Sequence, residues 1–341
     1  MTMAGWRLSD DVVSLDDVRG LVRRMKTVNF DSGKEWSYSN TNYTLAGLIV
    51  ERKNKAKQTL AQFAHDNIFQ WLAMTSTRFV ERHGEIVANR AYGYRGKKDF
   101  DKPPFEVRMP NYDLTGPTNL VTTVEDLIRW EANFYSKIVG DDAIFAKMHM
   151  PHPINKELGY GFGLYIGKDA IGGLIVEHDG RDAGYRSHLF RYPDKQLAVA
   201  LLCNVWMPDR TTHRLVRAVA ATFLGQQPTV SAAPSPPPQV SSASGLPADY
   251  VGRYYSDEID TVYDVKLDGG KLWIVRNRYA PSFLMPRAGD TFRVEDFSAV
   301  LPASSVRFKR DSQGKVDGLV MDDRVPGGFG RLWDFHFRRL P

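Results

Sequence analysis

The segment Trp36-Ser37-Tyr38-Ser39-Asn40-Thr41-Asn42-Tyr43 places phenols, hydroxyls and amides side by side in a loop that opens a helix. Tyr38 and Asn40, two residues apart, can point into one cleft, where a phenol of lowered pKa carries a proton and an amide orients a substrate carbonyl. Taken alone the plainer reading is favoured: a tyrosine in a loop is more often packing, and Ser or Asn before a helix is usually a cap. A second group is His178-Asp179-Gly180, placed at the end of the apolar run Leu174 to Glu177 and just before Arg181-Asp182-Ala183-Gly184-Tyr185. A histidine leaving a strand beside glycines can reach a cleft while the backbone closes on a ligand; its plainer alternative is a hydrogen-bonded histidine at a hairpin. The other histidines, including His149 and His152 around Pro151, form no helix-spaced pair with a carboxylate. No metal site is therefore expected.

These residues need elements to position them. Ser14 precedes a helical pattern with Leu15, Val18, Leu21 and Val22 on one face, and Leu45, Leu48 and Ile49 mark a second helix from Asn42. Thr59 with Gln62 forms a capping box for a third, and Thr122 with Glu125 forms another ahead of Leu127, Ile128 and Trp130. After Tyr160 the period changes to strands, at Phe162 to Ile166, Leu174 to Glu177, Tyr185 to Tyr192 and Leu197 to Cys203. Pro193-Asp194-Lys195-Gln196 is a turn joining the last two strands, and a closing helix is expected from Thr211 to Phe223. Helices, then an antiparallel meander, then a helix make an α+β domain over residues 1–225. Residues 226–247 are rich in proline and serine and carry no charge, the composition of an extended linker. From residue 248 to 341 short alternating segments recur between turn signals such as Asp268-Gly269-Gly270 and Asp311-Ser312-Gln313-Gly314. That pattern predicts a small all-β domain, a barrel or sandwich.

Composition narrows the function classes. A chain of 341 residues that is 43% hydrophobic and 25% charged has the makings of two globular cores, which excludes wholesale disorder, collagen and coiled coil. No apolar run reaches membrane-spanning length and no signal peptide is visible, so the compartment is left open. Cys203 is the only cysteine, which excludes an internal disulfide and every multi-cysteine zinc site. The formal net charge of +5 comes from basic residues interspersed with acidic ones, unlike the basic blocks of a nucleic-acid binder. No phosphate-binding loop is present, and no cofactor is expected.

The order of segments carries more than any one of them. Tyr38-Ser39-Asn40, then Leu120 to Leu127, Tyr160-Gly161-Phe162-Gly163, His178-Asp179-Gly180, Gly184-Tyr185-Arg186-Ser187, Pro193-Asp194 and Cys203-Asn204 succeed one another. This succession, roughly from Leu15 to Phe223, resembles the serine β-lactamase and penicillin-binding-protein-like hydrolases. The branch is that of class C β-lactamases, family VIII carboxylesterases and D-aminopeptidases, and the part after the linker is similar to the lipocalin-like modules appended to such hydrolases. The resemblance implies ester or amide hydrolysis through an acyl-serine, without a cofactor, on a small-molecule ester, amide or peptide. It casts Tyr38 as general base or proton shuttle and Asn40 as the amide that holds the substrate carbonyl. His178 and Gly180 would belong to the strand motif, and the backbone N–H of Arg181 would donate to the oxyanion. Asp179 stands where the family usually has a hydroxyl residue, and a carboxylate there would repel an anionic ligand.

The family's Ser-x-x-Lys nucleophile motif is missing ahead of Tyr38. Ser312 has Lys315 three residues on, but in the expected β domain and in a turn. The resemblance therefore implies an N-terminally incomplete member without the nucleophile helix and the first strands of the sheet. Ser39 is the serine placed to substitute. Loss of those strands would expose a sheet edge, inviting a homo-oligomer or a complementing chain. The alternative is a non-catalytic module that keeps the cleft for binding.

Overall fold

A computed structural model describes residues 11–96, 102–155, 159–169, 173–208, 211–226, 247–276, 279–295, 303–322 and 335–341. The chain forms two compact units. One joins Asp16–Ser39 to the C-terminal barrel, and the other holds Val12–Leu15 and the chain from Asn40 to Ala233.

The second unit is α+β. Its helices are α2 (Asn40–Lys53), α3 (Leu60–Ala64), α4 (Val124–Ser136), α5 (Asp142–Met148) and α6 (Thr211–Phe223). Five antiparallel strands, β1 (Tyr160–Gly161), β2 (Leu164–Lys168), β3 (Leu174–Asp182), β4 (Tyr185–Tyr192) and β5 (Leu197–Cys203), lie in the order β5-β4-β3-β2-β1. Side chains alternate across the sheet, so its two faces bury different partners. On one face Phe190, Tyr192 and Ile175 pack against Val216 and Ala220 of α6. Burying a ring such as Phe190, 0% exposed, contributes about 1.5–3 kcal/mol. On the other face Arg191 lies 3.5 Å from the Phe134 ring of α4 and 3.6 Å from Glu131. Burial pushes the Glu131 carboxyl up to about 7 against the pull of Arg191.

The structure differs from three local expectations. Thr59 and Gln62 form the capping box that opens α3, but α4 is capped by Thr123, whose side chain accepts from the Asp126 N–H. Thr122 is engaged elsewhere, its hydroxyl 2.7 Å from that of Thr77. Asp126 in turn accepts from Ser76 N–H and the Thr77 hydroxyl, both at 2.8 Å, and ties α4 to the chain after α3. Strand β2 starts at Leu164 because Phe162 and Gly163, with φ of 51° and 80°, form the tight turn that precedes it. Strand β3 does not stop at Glu177: its pairing with β4 continues through His178↔Leu189 and Gly180↔Ser187 to Asp182↔Tyr185. His178-Asp179-Gly180 is therefore inside the strand, and the reversal falls at Ala183-Gly184.

In the first unit eight strands close an antiparallel barrel: β6 (Gly252–Ser256), β7 (Thr261–Asp268), β8 (Lys271–Arg276), β9 (Ser282–Pro286), β10 (Thr291–Glu295), β11 (Ala303–Arg310), β12 (Val316–Asp322) and β13 (Phe335–Arg339). Each pairs with the next, and β6 pairs with β13. The core is filled by aromatic rings, among them Tyr250, Tyr254, Phe292 and Phe308, with centroids 4.7–5.7 Å apart.

Helix α1 (Leu15–Arg24) was expected with the α+β domain of residues 1–225, yet Leu21 and Met25 pack against the barrel core. Arg24 Nε also donates to the Glu258 carbonyl at 3.3 Å. Segment 16–39 goes with the barrel because its apolar face is buried there. Apart from Gln226 and Pro247, the expected linker lies outside the described residues.

Phe308→Ala should remove a ring from the centre of the barrel core and lower the stability of that unit by about 3–5 kcal/mol. Urea unfolding followed by tryptophan fluorescence would measure it, and a loss below about 1 kcal/mol would show that the ring is not part of the core.

Candidate active site

Strand β3 organises the candidate site. Its even-numbered residues, His178 and Gly180, lie on one face of the sheet, and Glu177, Asp179 and Arg181 lie on the other. His178 Nδ1–H donates to the Asp179 carbonyl at 2.6 Å, which leaves Nε2 to accept from the Tyr160 hydroxyl at 3.2 Å. The Tyr160 and Tyr165 rings flank the imidazole, with centroids 6.0 and 5.6 Å away. Burial holds its pKa below the ordinary 6.5, against the opposing pull of its bond to Asp179. His178 is therefore a neutral imidazole of fixed tautomer at pH 7, with Nε2 as its basic atom.

Gly180 leaves room for the Ser187 side chain opposite it in the ladder: a Cβ there would stand 2.2 Å from the Ser187 hydroxyl oxygen. A second close approach joins α2 to the β1–β2 turn, since a Cβ on Gly163 would lie 2.9 Å from the Tyr43 hydroxyl oxygen. Asn40 opens α2, its carbonyl accepting from the Thr44 hydroxyl at 3.3 Å. Tyr43 lies one turn further on. The hairpin bearing Tyr160 at one end and Gly163 at its turn thus connects the first turn of α2 to His178. Phe162, at that turn, is 65% exposed and in the left-handed region, a conformation that costs of order 1–3 kcal/mol for a residue with a side chain.

The expected site residues lie on several elements of the chain. His178 and Gly180 share a face. Asp179 turns away from the imidazole, its Oδ1 3.8 Å from His213 Nε2 and its Oδ2 3.8 Å from Arg181 Nε. Arg181 itself has a side chain 45% exposed. Tyr38 and Ser39 belong to the segment grouped with the barrel, whereas Asn40 begins the other unit.

Behind His178, facing α6, lies a cluster with no sequence signature. Glu177 Oε2 is 2.8 Å from His188 Nε2, and Arg217 donates to both carboxylate oxygens, at 2.6 and 3.1 Å. Burial by itself raises the Glu177 pKa, but the bonds from His188 and Arg217 overcome it and pull the value down to about 2. Ligand atoms of Glu177, His188 and His213 lie within 4.8 Å of one another, the one such set among the described residues that could hold a metal ion. The Arg217 guanidinium already balances the carboxylate's charge. Sequence reasoning missed this set because its members come from β3, β4 and α6. It missed the role of Tyr160 too, for which Gly161-Phe162-Gly163, a tight turn beside an aromatic residue, is the available signal.

The Beta-lactamase family model matches residues 2–222. Penicillin-binding protein 4* of Bacillus subtilis is 24% identical over 282 residues, 80% of this chain and 62% of the relative. A D-aminopeptidase of Cereibacter sphaeroides is 24% identical over 224 residues, covering 64% of this chain and 41% of the relative. The chain thus spans less than two thirds of the length of either. A structure titled as the crystal structure of SurE shares the fold with a TM-score of 0.52 at 22% identity, over 92% of this chain and 71% of that one. With the matched region taking in α2, the whole sheet and all but the last residue of α6, this chain belongs to the Beta-lactamase family.

Proposed function

We propose that the α+β unit carries the carbonyl-binding side of an ester- or amide-hydrolysing site, and that its ligands are amides or peptides of D-amino acids. The observation that carries this reading is the neutral His178, whose tautomer is set by the Asp179 carbonyl and whose Nε2 meets the Tyr160 hydroxyl. Such a pair hydrogen-bonds a polar substrate without placing a charge beside it. The backbone N–H of Arg181 is the proposed oxyanion donor, and Asn40 the proposed carbonyl-orienting amide. Asp179, held toward His213 and Arg181, acts in this reading on the strand's position and not by repelling ligand. The ligand class follows the relatives named as D-aminopeptidases. Tyr38 and Ser39 directly precede Asn40 in the chain, and on that adjacency they are the proposed proton carrier and the proposed nucleophile.

A second reading, a binding module without turnover, is favoured by one observation. Ser312 and Lys315, the sole Ser-x-x-Lys pair, flank the turn between β11 and β12 of the barrel, where the Asp311 carboxylate accepts from the Gln313 and Lys315 N–H groups at 2.9 Å. That turn is not the helix start on which an acyl-serine forms. Closure of the barrel with each strand beside the next supports a lipocalin-like ancestry for that unit. Its aromatic filling supports a structural role for it and not a ligand cavity.

Calorimetry with D-phenylalanine amide should show saturable binding, weaker by at least about tenfold for the L-enantiomer, a preference worth about 1.4 kcal/mol. Acidification protonates His178, so affinity should fall with a midpoint below pH 6.5, and His178→Gln should abolish that fall. Absence of saturable binding, or equal affinity for the two enantiomers, would refute the reading. A serine-directed phosphonate then separates turnover from binding. A single adduct mapped to Ser39 assigns hydrolysis to this polypeptide, and no adduct assigns it binding alone. Where ester turnover is measured, Tyr38→Phe should slow it at least about tenfold, because general bases typically contribute a hundredfold or more. An unchanged rate would remove Tyr38 from the mechanism.

A further inference from the structure

Two imidazoles and two carboxylates meet between the sheet and the first turn of α6. Glu177 and Asp179 come from β3, His188 from β4, where it stands opposite Asp179 in the ladder, and His213 from α6. Glu177 Oε2 lies 2.8 Å from His188 Nε2 and 3.9 Å from His213 Nδ1. A zinc ion bound at about 2.0–2.1 Å sets tetrahedral ligand atoms about 3.3 Å apart. The three atoms here, all within 4.8 Å of one another, bracket that spacing, and side-chain rotation alone brings them to it.

Both imidazoles are held from behind. His188 Nδ1 lies 3.4 Å from the Thr212 hydroxyl, and His213 Nε2 lies 3.8 Å from Asp179 Oδ1. With the proton on those far nitrogens, each ring turns the lone pair of its other nitrogen toward Glu177. Metal-ligating histidines carry such an oxygen acceptor behind them, which fixes the tautomer and the angle of the ring. A cation already stands where the lone pairs meet, because Arg217 Nη1 is 3.1 Å from Glu177 Oε2 and 3.5 Å from His213 Nδ1. Arg217 lies one helical turn from His213 and its side chain is 35% exposed, so the guanidinium can swing to solvent with α6 in place. The charges then balance: the Glu177 carboxylate as ligand and Asp179 behind His213 offset a divalent ion.

We propose that Glu177, His188 and His213 bind a zinc ion, which takes the place of the Arg217 guanidinium. Three protein ligands leave the fourth corner of the tetrahedron to a water. Imidazole with a single carboxylate suits zinc, whereas magnesium and calcium take sites built of oxygen. The ion joins β3, β4 and α6, and since it binds only the folded arrangement it stabilises that arrangement. It lies on the face of the sheet opposite His178 and is independent of the proposed hydrolysis.

The full chain, dialysed against a chelator, should take up one zinc ion in competition with a chromophoric chelator, and its melting temperature should rise with free zinc. Cobalt(II) in the same place should give the intense visible absorption of a four-coordinate ion. His213→Ala, at a side chain 33% exposed, should keep the circular dichroism spectrum and weaken zinc binding at least about a hundredfold, the upper end of what a residue that merely supports a ligand is worth. Arg217→Met removes the competing cation and should tighten zinc binding at least about tenfold; should that variant fail to fold, His213→Ala carries the test. His83→Ala, at a histidine paired with Asp113 away from the cluster, should leave the affinity unchanged. A chain that takes up no zinc, or that binds it equally tightly without His213, would overturn the proposal and leave the cluster an ion-pair network only. The weak cobalt spectrum of a six-coordinate ion would overturn it too, and so would a folded Arg217→Met chain of unchanged affinity.

Discussion

A carboxylate 7% exposed in the middle of a strand is the constraint on which the α+β unit turns. Glu177 left unpaired would cost on the order of several kcal/mol, and it is tolerated because Arg217 from α6 and His188 from β4 both reach it. That single group therefore fastens three elements. Strand alternation does the rest: with Glu177 committed to α6, His178 must face the other way, into the rings of Tyr160 and Tyr165. The position of the imidazole is thus decided by an ion pair on the opposite side of the sheet. Because the carboxylate's pKa is pulled to about 2, this fastening holds from neutral pH down through the ordinary carboxylate range.

The parts legible in the sequence were those written in local rules. Strands β4 and β5 with the turn between them, the Thr59–Gln62 box, α6 and the barrel's hairpin turns each follow from spacing and turn chemistry within about a dozen residues. Where a distant partner decides, sequence reading stopped short. Strand β3 runs on past Glu177 because β4 pairs with it as far as Asp182, and a histidine between charged residues gives no periodicity to announce that. Thr123 caps α4 in place of Thr122 because Thr77, far back in the chain, has claimed the other hydroxyl. The cluster of Glu177, His188, His213 and Arg217 has no motif because its spacing is set by packing, not by a turn.

The candidate site shows the same division. His178 and Gly180 could be found as a motif, since a strand brings alternate neighbours to one face. Tyr43 and Tyr160 could not be assigned with them, because the connection runs through a hairpin whose turn must sit against α2. At Gly163 and Gly180 a Cβ would meet the hydroxyl oxygens of Tyr43 and Ser187, so both positions are kept clear for those side chains. Chemistry at this strand therefore depends as much on missing side chains as on the residues that would touch a ligand.

The packing of α1 against the barrel core has a consequence for synthesis. Its apolar face, Leu21 with Met25, leaves the ribosome before the strands it covers, which arrive more than two hundred residues later. At about 5–20 residues per second the helix waits some tens of seconds for its partner. During that time the intervening α+β unit can fold, so the barrel closes after it and takes up a segment made long before. A nascent chain arrested just before β6 would present that apolar face of α1 without the barrel core that covers it.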